Sequence, residues 1–271
     1  MLVKSKYFII SNQLAGVCVF ILMLSTIIAI SSLASTCSFA ASGDGGLPIA
    51  VCGRAPSSPL IDGSLQDACW KNAPVLSDFA AIGTRNLAKG RTRALLLHDD
   101  KYLYIGLQCG SRVLESRLQQ THTFKAAVKD NDNSKIFRDD SAEIFISCGS
   151  ESGKYYHLAV NGNGALWDAR GQETPDSWNS GAVVKSRIEE GQWCAEIALP
   201  LKSIGASGQD GQACRFNVCR SDASEKELSS WSPALAGKFG DPDIFGFLKF
   251  SDRILPARFN LITARTVLSF R

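Results

Sequence analysis

Along most of the chain, short apolar runs alternate with polar positions in steps of two, the spacing of half-buried β-strands. In GQWCAEIALP (191–200), Trp193, Ala195, Ile197 and Leu199 point one way, while Gln192, Cys194 and Glu196 point the other. That run predicts a strand with one wet face. TRALLLHD and YLYIGLQC, joined at Asp99, Asp100 and Lys101, predict a hairpin, and AEIFISC, YYHLAVN, AVVKSRIEE, CRFNVCR and IFGFLKF predict further strands. NGNG at 161–164 predicts a second hairpin, because Asn and Gly accept the positive φ of tight primed turns. Helical spacing is scarce: only GSLQDACWKNA and SRVLESRLQQ could hold a turn or two of helix. Short strands punctuated by Gly, Asp and Asn predict an all-β fold, a two-sheet antiparallel β-sandwich of jelly-roll or immunoglobulin-like type.

The first forty residues stand apart from this pattern. Lys4 and Lys6 are followed by an uncharged stretch to Gly43, most apolar from Leu14 to Ile30 and ending in the small residues before Ala40. This is read as a signal peptide cleaved after Ala40, with an uncleaved N-terminal anchor as the alternative. Residues 41–57 are then linker and lead-in, 58–250 the domain, and 251–271 a C-terminal extension with no assigned role. Either reading places the domain outside the cytoplasm: secreted, periplasmic or on the cell surface.

Losing the leader removes two lysines and lowers the formal charge from +3 to +1. No Lys/Arg run suits a phosphate backbone, so nucleic acid is not an expected partner, and a membrane is expected only through the anchor. The cysteines that remain are Cys52, Cys69, Cys109, Cys148, Cys194, Cys214 and Cys219, an odd set that allows at most three bridges. No CxxC pair supports zinc. The histidines, His98, His122 and His157, sit in no nucleophile or zinc motif, and GSESG carries Glu151 where a hydrolase elbow needs Ser. Asp139, Asp140 and Glu143 are close in sequence, but acidic residues are common enough in this chain to cluster by chance. No enzymatic activity is expected.

The order of PLIDGSLQDACW, ALLLHDDKYLYIGLQC, RDDSAEIFIS, GQWCAEIALPLKSIG, CRFNVCRSD, SSWSP and DPDIFGFLKF resembles the family 9 carbohydrate-binding modules over residues 58–250. The resemblance implies a β-sandwich that binds polysaccharide or oligosaccharide, works alongside separate glycoside hydrolases, and holds a sugar between two aromatic rings. Phe137 in IFRDDSAEIF and Phe239 in KFGDPDIFG fall at the clamp positions, where a strong sugar binder carries Trp. Glu143 and Asn161 match positions that grip sugar hydroxyls, and Ala159 stands where the resemblance has a ligand-gripping arginine.

Trp70, Trp193 and Trp231 are expected in the core. Trp167 and Trp178 lie near the loop after the Asn161 turn and are candidate platform residues, with packing over a sheet end as the alternative. The resemblance also implies calcium, for which Asp130 and Asp132 in DNDNS are the candidates; Lys135 and Ser141 rule out an EF-hand register. A haem or redox sandwich is the alternative from another class, but both methionines, Met1 and Met23, lie in the leader, so no haem is expected. A structural surface protein with a degenerate sugar site is the third reading.

Overall fold

The computed structural model describes residues 46–111, 124–149, 154–171, 177–189 and 191–255. The leader, nearly all of SRVLESRLQQ, His122 and residues 256–271 lie outside them. The strands are β1 (Ile49–Arg54), β2 (Val75–Leu76), β3 (Ala80–Ala81), β4 (Thr92–His98), β5 (Tyr102–Gly110), β6 (Ser141–Ser147) and β7 (Tyr156–Asn161). They continue with β8 (Leu166–Arg170), β9 (Val183–Glu189), β10 (Gln192–Pro200), β11 (Ala213–Asp222), β12 (Glu227–Ser230) and β13 (Gly246–Ser251). Among the described residues, helix is confined to short 3-10 turns; the one in GSLQDACWKNA is Ala68–Asn72.

The ladder runs unbroken in the order β8-β7-β6-β11-β13-β1-β4-β5-β10-β9. β1 joins its two halves: Ile49–Gly53 pair with Phe247–Ser251 of β13, while Gly53 and Arg54 pair with Leu97 and His98 of β4. Both pairings are parallel, so the expectation of two separate antiparallel sheets needs correction. The two layers are one sheet folded about β1, and its ends approach each other, since the Ser186 hydroxyl of β9 donates to the Asn161 carbonyl at the end of β7 (3.0 Å). β1 lies in the stretch read as lead-in. Its pattern is too short and too Gly-containing to signal a central strand, and only its two neighbours define it. At the other end of the domain, Leu255 packs on Gly53, and the Arg54 N–H donates to the Arg253 carbonyl (3.0 Å), so residues just past 250 belong to the fold.

Inward positions of both layers form one core that includes Leu96, Ile105, Leu107, Ile144, Leu158, Val160, Trp193, Ile197, Phe216 and Leu248. Trp193, Ala195, Ile197 and Leu199 all face it, as the alternation predicts. The opposite face of β10 is not wet: Cys194 and Glu196 are both buried. Glu196 accepts from the backbone of Asp62 (2.8 Å) and Gly63 (2.7 Å) and from Trp70 Nε1 (2.7 Å), which fastens the leading loop over the sheet. The Asp99 turn forms as expected, its carboxylate capping the N–H groups of Lys101 and Tyr102 (both 2.8 Å). One disulfide, Cys148–Cys214, is present among the described residues, and the five other cysteines described are buried thiols.

Candidate functional site

The outer face of β6, β7 and β8 carries the residues singled out in the sequence. On β6, Ala142, Ile144 and Ile146 enter the core, so Ser141, Glu143 and Phe145 must face out. The register places Glu143 opposite Ala159 and Phe145 opposite His157 on β7, then Trp167 opposite Ala159 on β8. One surface therefore presents Glu143, Phe145, His157 and Trp167 around the small Ala159.

Phe137, in the 3-10 turn Ser134–Arg138, leans over one side of this surface. Its ring meets Trp167 edge-on (5.0 Å between centroids) and His157 at a tilt (5.8 Å). His157 stacks flat on Phe145 (4.3 Å, 18°), and Phe145 packs with Tyr155 and Phe245, in a cluster that Phe239 joins. Phe137 and Phe239 are each half-buried. They stand at opposite ends of a continuous aromatic row. Gly240 lies close to the second end: a Cβ there would lie 2.8 Å from the Tyr155 hydroxyl, so a larger residue would have to displace that side chain for the segment carrying Phe239 to settle on the row.

Between the two Phe rings, the Glu143 carboxylate and His157 Nε2 are 2.9 Å apart, with side chains 11% and 12% exposed. The pair combines an anionic acceptor with an imidazole that both donates and accepts, inside an aromatic rim. Trp167 Nε1 nearby is buried without a hydrogen-bond partner among the described residues. On the far flank Asn217 and Ser230 bond to each other (2.9 Å), and burial pushes the Cys219 thiol up, so that flank is inert.

Three expectations are revised. Asn161 has no exposed surface. Its Nδ2 donates to the Val128 carbonyl (2.8 Å) and Asp139 (3.0 Å), and its Oδ1 accepts from the N–H groups of Asn163 and Ala165 (both 3.1 Å). All four bonds an amide can make are spent, so Asn161 ties the β7–β8 turn to the Val128 segment and offers a ligand nothing. Trp167 lies on a strand, not in a loop; burial of its indole against Phe137 and Ala159 makes it the floor under the first clamp ring. Trp178 meets Tyr156 at a tilt (4.5 Å between centroids, 34°), one residue out of phase with His157, and so packs against the core on the opposite face of β7.

Asp130 and Asp132 lie in the turn before the 3-10 segment that carries Phe137. Both side chains are exposed and flanked by Lys129 and Lys135, and among the described residues no three His, Cys, Asp or Glu side chains gather to hold a metal ion. Sequence reasoning missed His157, Phe145 and Tyr155. The signal for His157 was present, because Leu158 and Val160 in YYHLAVN are core positions and alternation then turns His157 outward. Its pairing with Glu143 depends on the β6–β7 register, which no local pattern states.

A family model described as carbohydrate family 9 binding domain-like matches residues 61–253. Endo-1,4-beta-xylanase A of Thermotoga maritima is 26% identical over 204 residues, covering 71% of this chain but only 17% of the xylanase. A carbohydrate binding module family 9 from Caldicellulosiruptor kristjanssonii, solved in complex with cellotriose, superposes with a TM-score of 0.53 at 18% identity, over 76% of this chain and 94% of that one. A structure from Bacteroides uniformis gives 0.61 at 15% identity, over 76% and 100%. At such identities the structural matches speak for the fold alone.

Proposed function

Because the chain belongs to the carbohydrate family 9 binding domain-like family, we propose that it binds a saccharide on the outer face of β6, β7 and β8, stacked between Phe137 and Phe239. The observation that carries this reading is the Glu143–His157 pair, set between two half-buried aromatic rings on one sheet face.

The pyranose ring suits such a site because its C–H side meets the π faces while its rim of hydroxyls needs donors and acceptors. Glu143 accepts from hydroxyls. His157 stands one position along the same face from Ala159; with its Nε2–H donated to Glu143, its other ring nitrogen is the acceptor it offers a hydroxyl, and it does not replace the donor an arginine at 159 would bring. Ala159 itself is buried in the cluster with Trp167 and Phe137, so its small size is what lets those rings close over β7. The Phe145 face beneath His157 fixes the imidazole and lowers the entropy lost on binding.

The ligand class follows from relatives that hold cellotriose or glucose and from the xylanase that contains a similar segment: β-linked gluco- or xylo-oligosaccharides. The domain acts without chemistry of its own, beside separate polysaccharide-degrading enzymes. The Cys148–Cys214 disulfide supports an oxidising, extracytoplasmic location. A glycan-array screen of the full chain, followed by calorimetry on each hit, tests the reading. Hits confined to β-linked glucans and xylans are expected, with affinity lost in Glu143→Ala; silence from folded protein would leave the degenerate structural sandwich.

A further inference from the structure

The segment that carries Phe137 also builds a second feature that the saccharide platform does not use. Residues 125–139 line an open groove of about 480 Å³ whose charged side chains are Lys125, Lys129, Lys135 and Arg138 against Asp130 and Asp139. The four cations are dispersed along the sequence, where they read as ordinary surface charge, and only the fold gathers them. All four are exposed, and none makes an ion pair among the described residues.

Their potential counter-charges do not neutralise them. Asp139 is 1% exposed, and its Oδ2 already accepts from the N–H groups of Ala127 and Val128 (both 2.9 Å) and from Asn161 (3.0 Å). Its charge is spent holding the groove's own backbone in place. Among the described residues that line the groove, Asp130 is the one other acid beside four cations. A concave surface with unpaired charges of one sign concentrates its field on whatever enters, and a guanidinium beside lysines suits an oxyanion.

The groove and the proposed sugar site share one short element, although Phe137 itself does not line the groove. Lys135 and Arg138 sit on the same 3-10 turn as Phe137, two residues before it and one after. At about three residues per turn, Lys135 and Arg138 share one side of that turn and Phe137 the adjacent one, so a substituent on a ring stacked at Phe137 meets them by reaching round the turn. We propose that the groove recognises an anionic substituent, a carboxylate or sulfate, on the saccharide bound at Phe137, so that the preferred glycan is an acidic one. This rests on the saccharide-binding reading for its placement but not for its charge chemistry.

Calorimetry on the full chain, at low and at high salt, with three probes of equal backbone length separates the possibilities: an unbranched xylo-oligosaccharide, the same backbone carrying a glucuronate branch, and a sulfated form. The glucuronate or the sulfated probe should bind roughly tenfold more tightly than the neutral one. The excess should disappear in the double variant Lys135→Gln, Arg138→Gln and shrink at high salt, as exposed charge pairs do. Whichever anionic probe is favoured names the substituent. Equal affinity for neutral and acidic probes overturns the groove's role and leaves the platform standing, as does an acidic preference that survives the double variant. Binding of acidic probes only, lost in the variant, supports the groove and removes the aromatic platform; binding of none overturns both.

Discussion

Asn161→Ala separates a structural hub from a ligand contact. The substitution removes an amide that makes four hydrogen bonds within the protein. Some partners are compensated: the Val128 carbonyl keeps a bond from Asn163 Nδ2 (3.2 Å), and Asp139 Oδ2 keeps two backbone donors. The Ala165 N–H, which is buried, is left with none. Counting about 1 kcal/mol for each replaceable bond and a larger penalty for the buried orphan gives a loss of about 4 kcal/mol. That is a large share of the 5–15 kcal/mol that holds a typical domain together, and corresponds to a melting temperature lower by about 8–16 °C for a domain of this size. Thermal unfolding with the disulfide intact measures it. Asn161→Asp sharpens the test, because it sets a second carboxylate 3.0 Å from Asp139 where the amide now donates. One of that pair is then protonated more readily in the folded state than in the unfolded one, so the variant loses stability as pH rises through the elevated value and regains it on acidification. A melting temperature within about 2 °C of the parent, together with lost saccharide binding, would refute the hub and restore Asn161 to the ligand site.

Other expectations concern the frame around the site. Glu196→Gln puts an NH₂ against donors that now meet a carboxylate, which should cost about 2 kcal/mol and speed amide exchange at Asp62 and Gly63; unchanged exchange would mean that the loop is held by other contacts. Replacing Cys148 and Cys214 by Ser opens a closure spanning 66 residues, a loss of about 4 kcal/mol in the chain-entropy account, read as a lower urea midpoint. Burial pushes the Asp99 carboxyl up, but hydrogen bonds from Tyr104 Oη (2.6 Å) and the N–H groups of Lys101 and Tyr102 outweigh it and hold the group below the ordinary value. The stability these bonds lend is present above the usual aspartate range and is lost as pH falls through the depressed value, so Asp99→Asn should flatten the acid limb of the stability profile.

How much of this was legible in the sequence depends on how local each feature is. The β4–β5 and β7–β8 hairpins announce themselves through Asp99 and through Asn161–Gly164, because turn chemistry is written in adjacent residues. The inward face of β10 is equally legible, since Trp193, Ala195, Ile197 and Leu199 need only alternation to be found. Its outward face misleads, because what buries Glu196 is a loop more than 130 residues away in sequence. β1 was missed for a related reason: a strand that is parallel to both neighbours carries no turn signal at either end. At the candidate site, resemblance singled out Phe137, Phe239 and Glu143, which the fold brings around one sheet face, but resemblance cannot tell a spent amide from a free one, and Asn161 is a spent one. The basic groove was invisible, because charges spread over residues 125–138 look solvated until the turns bring them to one wall.

The central claim is that saccharide lies between Phe137 and Phe239, and calorimetric titration of a β-1,4-linked oligosaccharide into the double variant Phe137→Ala, Phe239→Ala, with Trp178→Ala as control, tests it most directly. At about 1 kcal/mol or more for each stacked ring, the double variant should bind roughly thirtyfold more weakly or worse, while Trp178→Ala keeps its affinity because Trp178 faces the core side of β7. Parent affinity in the double variant, or loss confined to Trp178→Ala, would contradict the account and move the site away from Phe137 and Phe239.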